Sequence, residues 1–314
     1  MTETGHRPPA AAILAVPLIV ALVLTLFAWP SSRLEPRDLP IGVAGPAPAA
    51  AAVEQKLTAT EGAFDVHRYA GEADARAAIE DREVYGAFVA GAGAPRVLTS
   101  TAASPAVAQM LTHAAAEQHA VVEDAVSTPK AASGLGSSVL PLVLAGIVTG
   151  VLAALAVTSG AARVGLTVAG SVLAGVASAL VADTWLGIVE GSWLANAGAF
   201  ALTFMAISAA IAGLYSLFGK AGLGIGALVM IFIGNPFSAA ATAPELLPEP
   251  VGGLGQLLPP GAGANLLRST GYFDGAGAAE HIAVLGIWAL AGVAAMLLAR
   301  LAHGTLMRPV SSSA

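Results

Sequence analysis

The sequence predicts a polytopic α-helical membrane protein: six transmembrane helices in a one-plus-five arrangement, with a small α/β extracytoplasmic domain between helices one and two. Three observations carry this reading. A lone apolar stretch lies near the N-terminus, five more fill the C-terminal half, and the polar block 30–137 separates them. The chain is 56% hydrophobic and 11% charged, with a mean hydropathy of +0.76, which is too apolar for a soluble chain of this length.

The first apolar run covers 11–29. It lacks a small-x-small cleavage site before Pro30-Ser31-Ser32 and reads as an uncleaved anchor. The later runs go from Val139 to Ser159, Val164 to Ile188, Leu194 to Phe218, Leu223 to Ala240 and Ile282 to Leu301. Each is long enough to cross a hydrocarbon core of about 30 Å. Six spans put both termini on one side. Arg7, Arg163, Lys220, Arg300 and Arg308 fall at that side, while Glu190, Glu245, Glu249, Asp274 and Glu280 face Arg268 alone on the other. The positive-inside rule then makes the tails 1–10 and 304–314 cytoplasmic and places 30–137 outside the cytoplasmic membrane.

Within the block, Leu39, Ile41 and Val43 alternate as a strand does, and Ala49, Val53 and Leu57 recur at helical spacing. Phe64-Asp-Val66 opens a second strand, and Gly71 to Asp81 reads as a short helix. Val84 to Val89 and Arg96 to Thr99 flank a Gly/Pro loop and read as a hairpin. Ser104-Pro105 supplies N-cap and first-turn chemistry for a helix with Val107, Met110, Leu111, Ala114 and Val121 on one side. Ala131 to Ser138 reads as a linker into the five-helix domain 138–303. Inside that domain the stretch 242–281 is apolar yet broken by Pro244, Pro248, Pro250, Pro259 and Pro260. Short amphipathic pieces at Leu254 to Leu258 and Ala264 to Leu267 are expected on the outer face or dipping partly in.

The composition excludes several functions. The net charge of -6, with thirteen of the twenty acids in the polar block, argues against nucleic acid as a partner. The absence of cysteine removes disulfides, thiolate metal sites and cysteine nucleophiles. Gly213 to Lys220 has the wrong glycine spacing for a phosphate loop, and Gly222, Gly224 and Gly226 miss the dinucleotide spacing. His6, His67, His113, His119, His281 and His303 form no ligand pair on one helical face and read as solvated. No catalytic, cofactor or metal residues are assigned.

The candidate pathway or interface residues are Asp183, Asn235, Pro236 and Arg268. Asp183 is the acid inside an apolar run, which fits either a substrate or proton path or a hydrated cap at the outer interface; its distance from Arg163 favours the cap. Asn235-Pro236 marks a kink whose freed carbonyls line a path or end a helix. Arg268 either makes a contact or sits at the interface. Gly146-x-x-x-Gly150 and Ala209-x-x-x-Gly213 permit close helix contact.

One span, a folded outer domain and five further spans with a proline-broken segment before the last resemble the ABC type-2 permeases, in particular the phage-infection-protein-like branch found in bacteria. The residues carrying the resemblance are Asp38-Leu-Pro-Ile-Gly-Val-Ala44, Asp81-Arg-Glu-Val-Tyr-Gly-Ala-Phe-Val89 and Leu257-Leu-Pro-Pro-Gly-Ala262, with Leu267-Arg268-Ser269 and Tyr272-Phe273-Asp274 following. The resemblance implies an exporter subunit working by alternating access, as a homodimer or with a second permease. A separate cytoplasmic ABC ATPase would supply the ATP and Mg chemistry, with none in this chain. The charge-poor spans suggest a hydrophobic or amphipathic cargo. A membrane-anchored scaffold or surface receptor is the alternative. A membrane-embedded enzyme ranks below both for want of an acid/base pair at depth.

Overall fold

The computed structural model of the protein describes residues 10–91, 93–129 and 134–306. Residues 1–9 and 307–314 of the expected tails, and 131–133 of the expected linker, lie outside the described residues; 134–138 of that linker belong to a helix. Among the described residues, six helices are long and apolar enough to cross a membrane, with windows at Ala15–Ser32, Ser138–Ala156, Gly160–Trp185, Trp193–Phe218, Lys220–Phe237 and Ala278–Ala299.

After helix α1 (Ala10–Ser32), the chain forms the α/β head: β1 (Leu39–Ala44), α2 (Ala47–Thr58), β2 (Phe64–Tyr69), α3 (Glu72–Glu80), β3 (Gly86–Val89), β4 (Arg96–Thr99), α4 (Pro105–Glu117) and β5 (Val121–Asp124). The five strands lie in the order β2-β1-β3-β4-β5. The expected hairpin is present, with β3 antiparallel to β4 and Phe88 opposite Val97. β1 is parallel to both β2 and β3. Helices cover both faces, so β1 is buried nearly throughout instead of alternating. Leu39 and Ile41 pack with Phe88, Val97, Val107 and Leu111 on one face, and Ala44, Ala87 and Leu98 meet Ala75 and Ile79 of α3 on the other. Burying each of the large side chains contributes about 1.5–3 kcal/mol.

Ser104 caps α4 as its sequence predicts, its Oγ accepting from the Val107 N–H at 3.3 Å. The helix is shorter than expected: it ends at Glu117, and Val121 belongs to the edge strand β5. His119, at φ 51°, turns the chain between them. Four residues at a sheet edge carry too little alternation to register as a strand.

The bundle comprises α5 (Gly134–Ala156), α6 (Gly160–Ala179) with a π-helical end at Leu180–Trp185, α7 (Trp193–Phe218), and α8 (Lys220–Leu228) with a π-helical turn at Val229–Gly234 and the short α9 (Asn235–Phe237). A 3-10 turn at Pro244–Leu246, α10 (Val251–Gln256), α11 (Pro259–Tyr272) and α12 (Ala278–Leu306) follow. The central helix is α7. Its window is 72% buried, against 6% for that of α1, which touches the bundle through contacts such as the edge-on Phe27–Phe232 pair. Small residues let the neighbours close in. A Cβ at Gly150 of α5 would lie 2.7 Å from the Ser208 carbonyl oxygen, and one at Gly292 of α12 would lie 2.3 Å from the Ala209 backbone. The Gly146/Gly150 spacing is therefore used within the bundle. Gly222 and Gly226 are likewise packing glycines, pressed against Leu214 and Ile211.

The proline-broken segment differs from expectation. Pro259-Pro260 starts a helix, because the first turn has no intrahelical acceptor for the N–H groups that proline lacks. α11 is buried along nearly its whole length, with Ala262, Leu266 and Leu267 in one core with Phe200 and Phe204 of α7 and Leu285 of α12. It is an inner element of the bundle.

At the end opposite the head, Arg163 locks the turn between α5 and α6. Its guanidinium donates to Ser216 Oγ at 2.8 Å and to the carbonyls of Val157 at 2.9 Å and Ala154 at 3.2 Å, and lies over the Tyr215 ring.

Candidate functional site

The head is fused to the bundle at three places. Glu35 N–H donates to the Leu246 carbonyl at 3.1 Å, and Arg37 N–H to that of Glu245 at 3.0 Å. The Arg37 guanidinium then caps the same Leu246 carbonyl at 3.0 Å. These bonds seat Leu246 and Ala243 in the apolar core under the sheet, beside Leu39 and Val107. Ala102 and Ala103 of the head close over Phe273 at the end of α11.

The third attachment is polar. Arg82, in the turn between α3 and β3, sits at φ 62° and inserts its guanidinium against α11. It donates to the Asn265 carbonyl at 3.2 Å, to Asn265 Oδ1 at 3.0 Å and to Ser269 Oγ, and lies 5.3 Å from the centre of the Phe273 ring. Asn265 Oδ1 also accepts from Arg268 at 3.3 Å, while its amide donates to Gln256 Oε1 at 2.6 Å. Gln256 continues the chain to the Ser238 carbonyl at 3.2 Å. A single asparagine therefore joins the head, α10 and α11.

Burial draws the Arg82 guanidinium below its ordinary pKa, against the opposing pull of Tyr85, Glu280 and Glu245. The Tyr85 phenol is pushed well above its ordinary range by burial, with the Glu245 carboxylate adding to the effect. It stays neutral and donates to Glu245 Oε2 at 2.8 Å.

Between these attachments lies a cavity of about 540 Å³, within the usual range for small-molecule sites. The head contributes Asp38, Arg82, Glu83 and Tyr85, the segment before α11 contributes Glu245, Glu249 and Gln256, and α12 contributes Glu280 and His281. His281 is 6% exposed, which corrects the solvated reading: the first turn of α12 tucks beneath the head. The charged groups at this junction come from the head, the segment before α11 and the first turn of α12, not from the middle of the charge-poor spans. The groups present can bind a polar or ionic solute. Among the described residues, no group of three or more His, Asp or Glu side chains is placed to hold a metal ion.

The four residues singled out from sequence do not converge. Asp183 sits in the π-helical end of α6, half-buried, where it accepts from the Asn196 amide at 3.2 Å; that amide also donates to the Glu190 carbonyl at 2.7 Å. Asn235 and Pro236 begin α9, directly after the second π-helical turn, and line a separate cavity of about 180 Å³ with Ser31 and Leu34 of the α1 end. Arg268 is 2% exposed and donates to Asn265 Oδ1 and to the Ala240 carbonyl. Of its two readings, the structure selects the contact. Arg268 stands one layer behind the cavity, linked to it through Asn265.

Sequence reasoning did not single out Arg82, Tyr85, Glu245, Asn265 or His281. A signal was present for some: Asp81 to Val89 and Leu267 to Asp274 had stood out as motifs, and Arg82 is where they meet. Comparison of the chain with protein-family models, curated proteins and solved structures finds no match.

Proposed function

We propose that the chain is the permease subunit of an ABC type-2 exporter, moving a hydrophobic or amphipathic substrate across the cytoplasmic membrane with energy from a separate cytoplasmic ATPase. The observation that carries this reading is the junction cavity, walled by the head on one side and by α12 and the segment leading into α11 on the other. A solute held there contacts both the head and helices that pack on the central α7. A shift of α11 would be felt by the head through Arg82 and Phe273. The basic residues Arg163 and Lys220 at the opposite end support a cytoplasmic placement of that end, with the head outside.

The test is affinity purification of the full chain from its native membrane, with mass spectrometry and ATP hydrolysis measured on the eluate. A stoichiometric ATPase whose activity depends on this chain is the expected result. A second reading, a membrane-anchored receptor or scaffold, draws on the open sheet edge β5, where Val121 and Val122 are exposed to a partner strand. Recovery of an envelope partner with no ATPase would favour it and overturn the exporter.

A further inference from the structure

We infer that the small cavity at the end of the bundle opposite the head is a binding site for a phosphate group, carried by a lipid headgroup of the adjoining leaflet or free in solution. The inference concerns a place that the exporter reading does not use, and it stands without that reading.

The cavity has a volume of about 280 Å³, and its lining includes Thr158, Gly160, Arg163, Ser216, Gly219 and Met296. That is below the roughly 300–1,000 Å³ of most small-molecule sites, so it fits a single ionic group or a headgroup. None of its lining residues is acidic.

Arg163 supplies the charge. It is 8% exposed, and among the described residues no carboxylate pairs with it. Its bonds go to neutral acceptors, the Ser216 hydroxyl and the Ala154 and Val157 carbonyls. Its Nε–H is buried with no acceptor among the described residues. A guanidinium held in this way has given up most of its water, and no negative charge has replaced it. An anion in the cavity supplies the missing counter-charge.

The backbone provides a second, independent observation. Gly160 opens α6 and Gly219 stands directly before α8, and both line the same cavity. Neither helix has a side-chain cap: Ser159 makes no capping bond, and Gly219 has no side chain to make one. The first-turn N–H groups of two helices are thus left without a side-chain acceptor, and the positive ends of both helix dipoles meet beside one buried guanidinium. Helix N-termini of this kind bind phosphate, and arginine reinforces them. A Cβ at Gly219 would meet nothing within 4 Å, which leaves room at this helix start. Lys220, exposed in the first turn of α8, adds a further cation at the same end. Leu217 and Phe218 beside the cavity, with Leu297 and Leu298 of α12, are exposed apolar side chains along which acyl chains can lie.

The probes are dihexanoyl phosphatidic acid and inorganic phosphate, with dihexanoylglycerol as the lipid that lacks the phosphate. Each is titrated calorimetrically into the full chain in maltoside micelles, which contain no phosphate, and into empty micelles to subtract partition. The expected result is saturable binding of phosphatidic acid, no saturable binding of dihexanoylglycerol, and about tenfold weaker binding of phosphatidic acid to the Thr158→Glu chain, whose added carboxylate repels the ligand. Thr158 is exposed, so this variant keeps the fold. Arg163→Lys, which retains the charge without the planar fork, should weaken binding as well. Tighter binding of phosphatidic acid than of inorganic phosphate assigns the site to a lipid headgroup, and equal or tighter binding of inorganic phosphate assigns it to a soluble phosphate; both support the site. Equal binding of dihexanoylglycerol and phosphatidic acid, undiminished binding in Thr158→Glu, or no binding of either phosphate compound overturns the inference.

Discussion

Replacing Arg82 by methionine tests whether the head is held to the bundle by this side chain. Methionine keeps the apolar stem and, like arginine, carries a Cβ at the same positive φ, so the substitution isolates the guanidinium. The native group makes three hydrogen bonds to α11 and one ring contact. Loss of it does not orphan every acceptor, since Asn265 Oδ1 still receives the Arg268 donor. The Asn265 carbonyl and Ser269 Oγ lose their Arg82 donor, and the desolvation cost of the guanidinium is recovered. The net weakening of docking is about 2–3 kcal/mol. That corresponds to roughly a thirty- to 150-fold rise in the population of the locally opened state. Hydrogen–deuterium exchange on the full chain in nanodiscs should show amides of 265–272 exchanging faster by that factor, with β4 and β5 unchanged. Arg82→Lys should not restore protection, because an ammonium cannot reach the backbone carbonyl and two side chains in the same fork. Unchanged exchange in α11, or equal acceleration across the whole head, would refute the argument.

Two further outcomes follow from the packing and the charges. Gly292→Ala puts a Cβ 2.3 Å from the Ala209 backbone and should cost about 1–3 kcal/mol, read as a lower melting temperature in detergent; Gly286→Ala on the same helix meets nothing within 4 Å and should leave melting unchanged. In the head, Arg76 and Arg96 hold the Glu123 carboxyl below its ordinary pKa by hydrogen bonding and charge. Because the folded value is the depressed one, the stabilisation is present above the ordinary carboxylate range and is lost as pH falls through the folded value. Glu123→Gln should therefore flatten the acid limb of a melting-temperature profile by lowering the neutral value, while leaving the value at pH below the folded pKa close to that of the native chain.

Elements whose signal is local could be read from the residues. Apolar runs longer than a bilayer core leave a helix as the way to satisfy the backbone, so the six candidate spans were legible to within a few residues. Ser104-Pro105 dictated a helix start because cap and first-turn chemistry involve neighbours in the chain. The Gly/Pro loop before Arg96 dictated the hairpin for the same reason. Local signals failed where the partner lies far away in sequence. β5 is a strand because β4 offers it an edge, not because four residues alternate. α11 is an inner helix because its own small residues let it sink against α7, where a Cβ at Gly263 would lie 2.5 Å from the Thr203 side chain. Leu246 completes the core of a domain that begins some two hundred residues earlier.

The candidate site belongs to the second kind. The residue types and the excess of acids were visible in the chain, and with them the membrane character, the helix count and the presence of an α/β head. Tertiary structure alone decided that Arg82 would reach Asn265, that Arg268 would be buried behind it, and that His281 would turn into a cavity lined with carboxylates. Hydrophobic length and capping act between neighbours and so are written in the chain locally. The charge balance of a cavity depends on which distant side chains fold back upon one another.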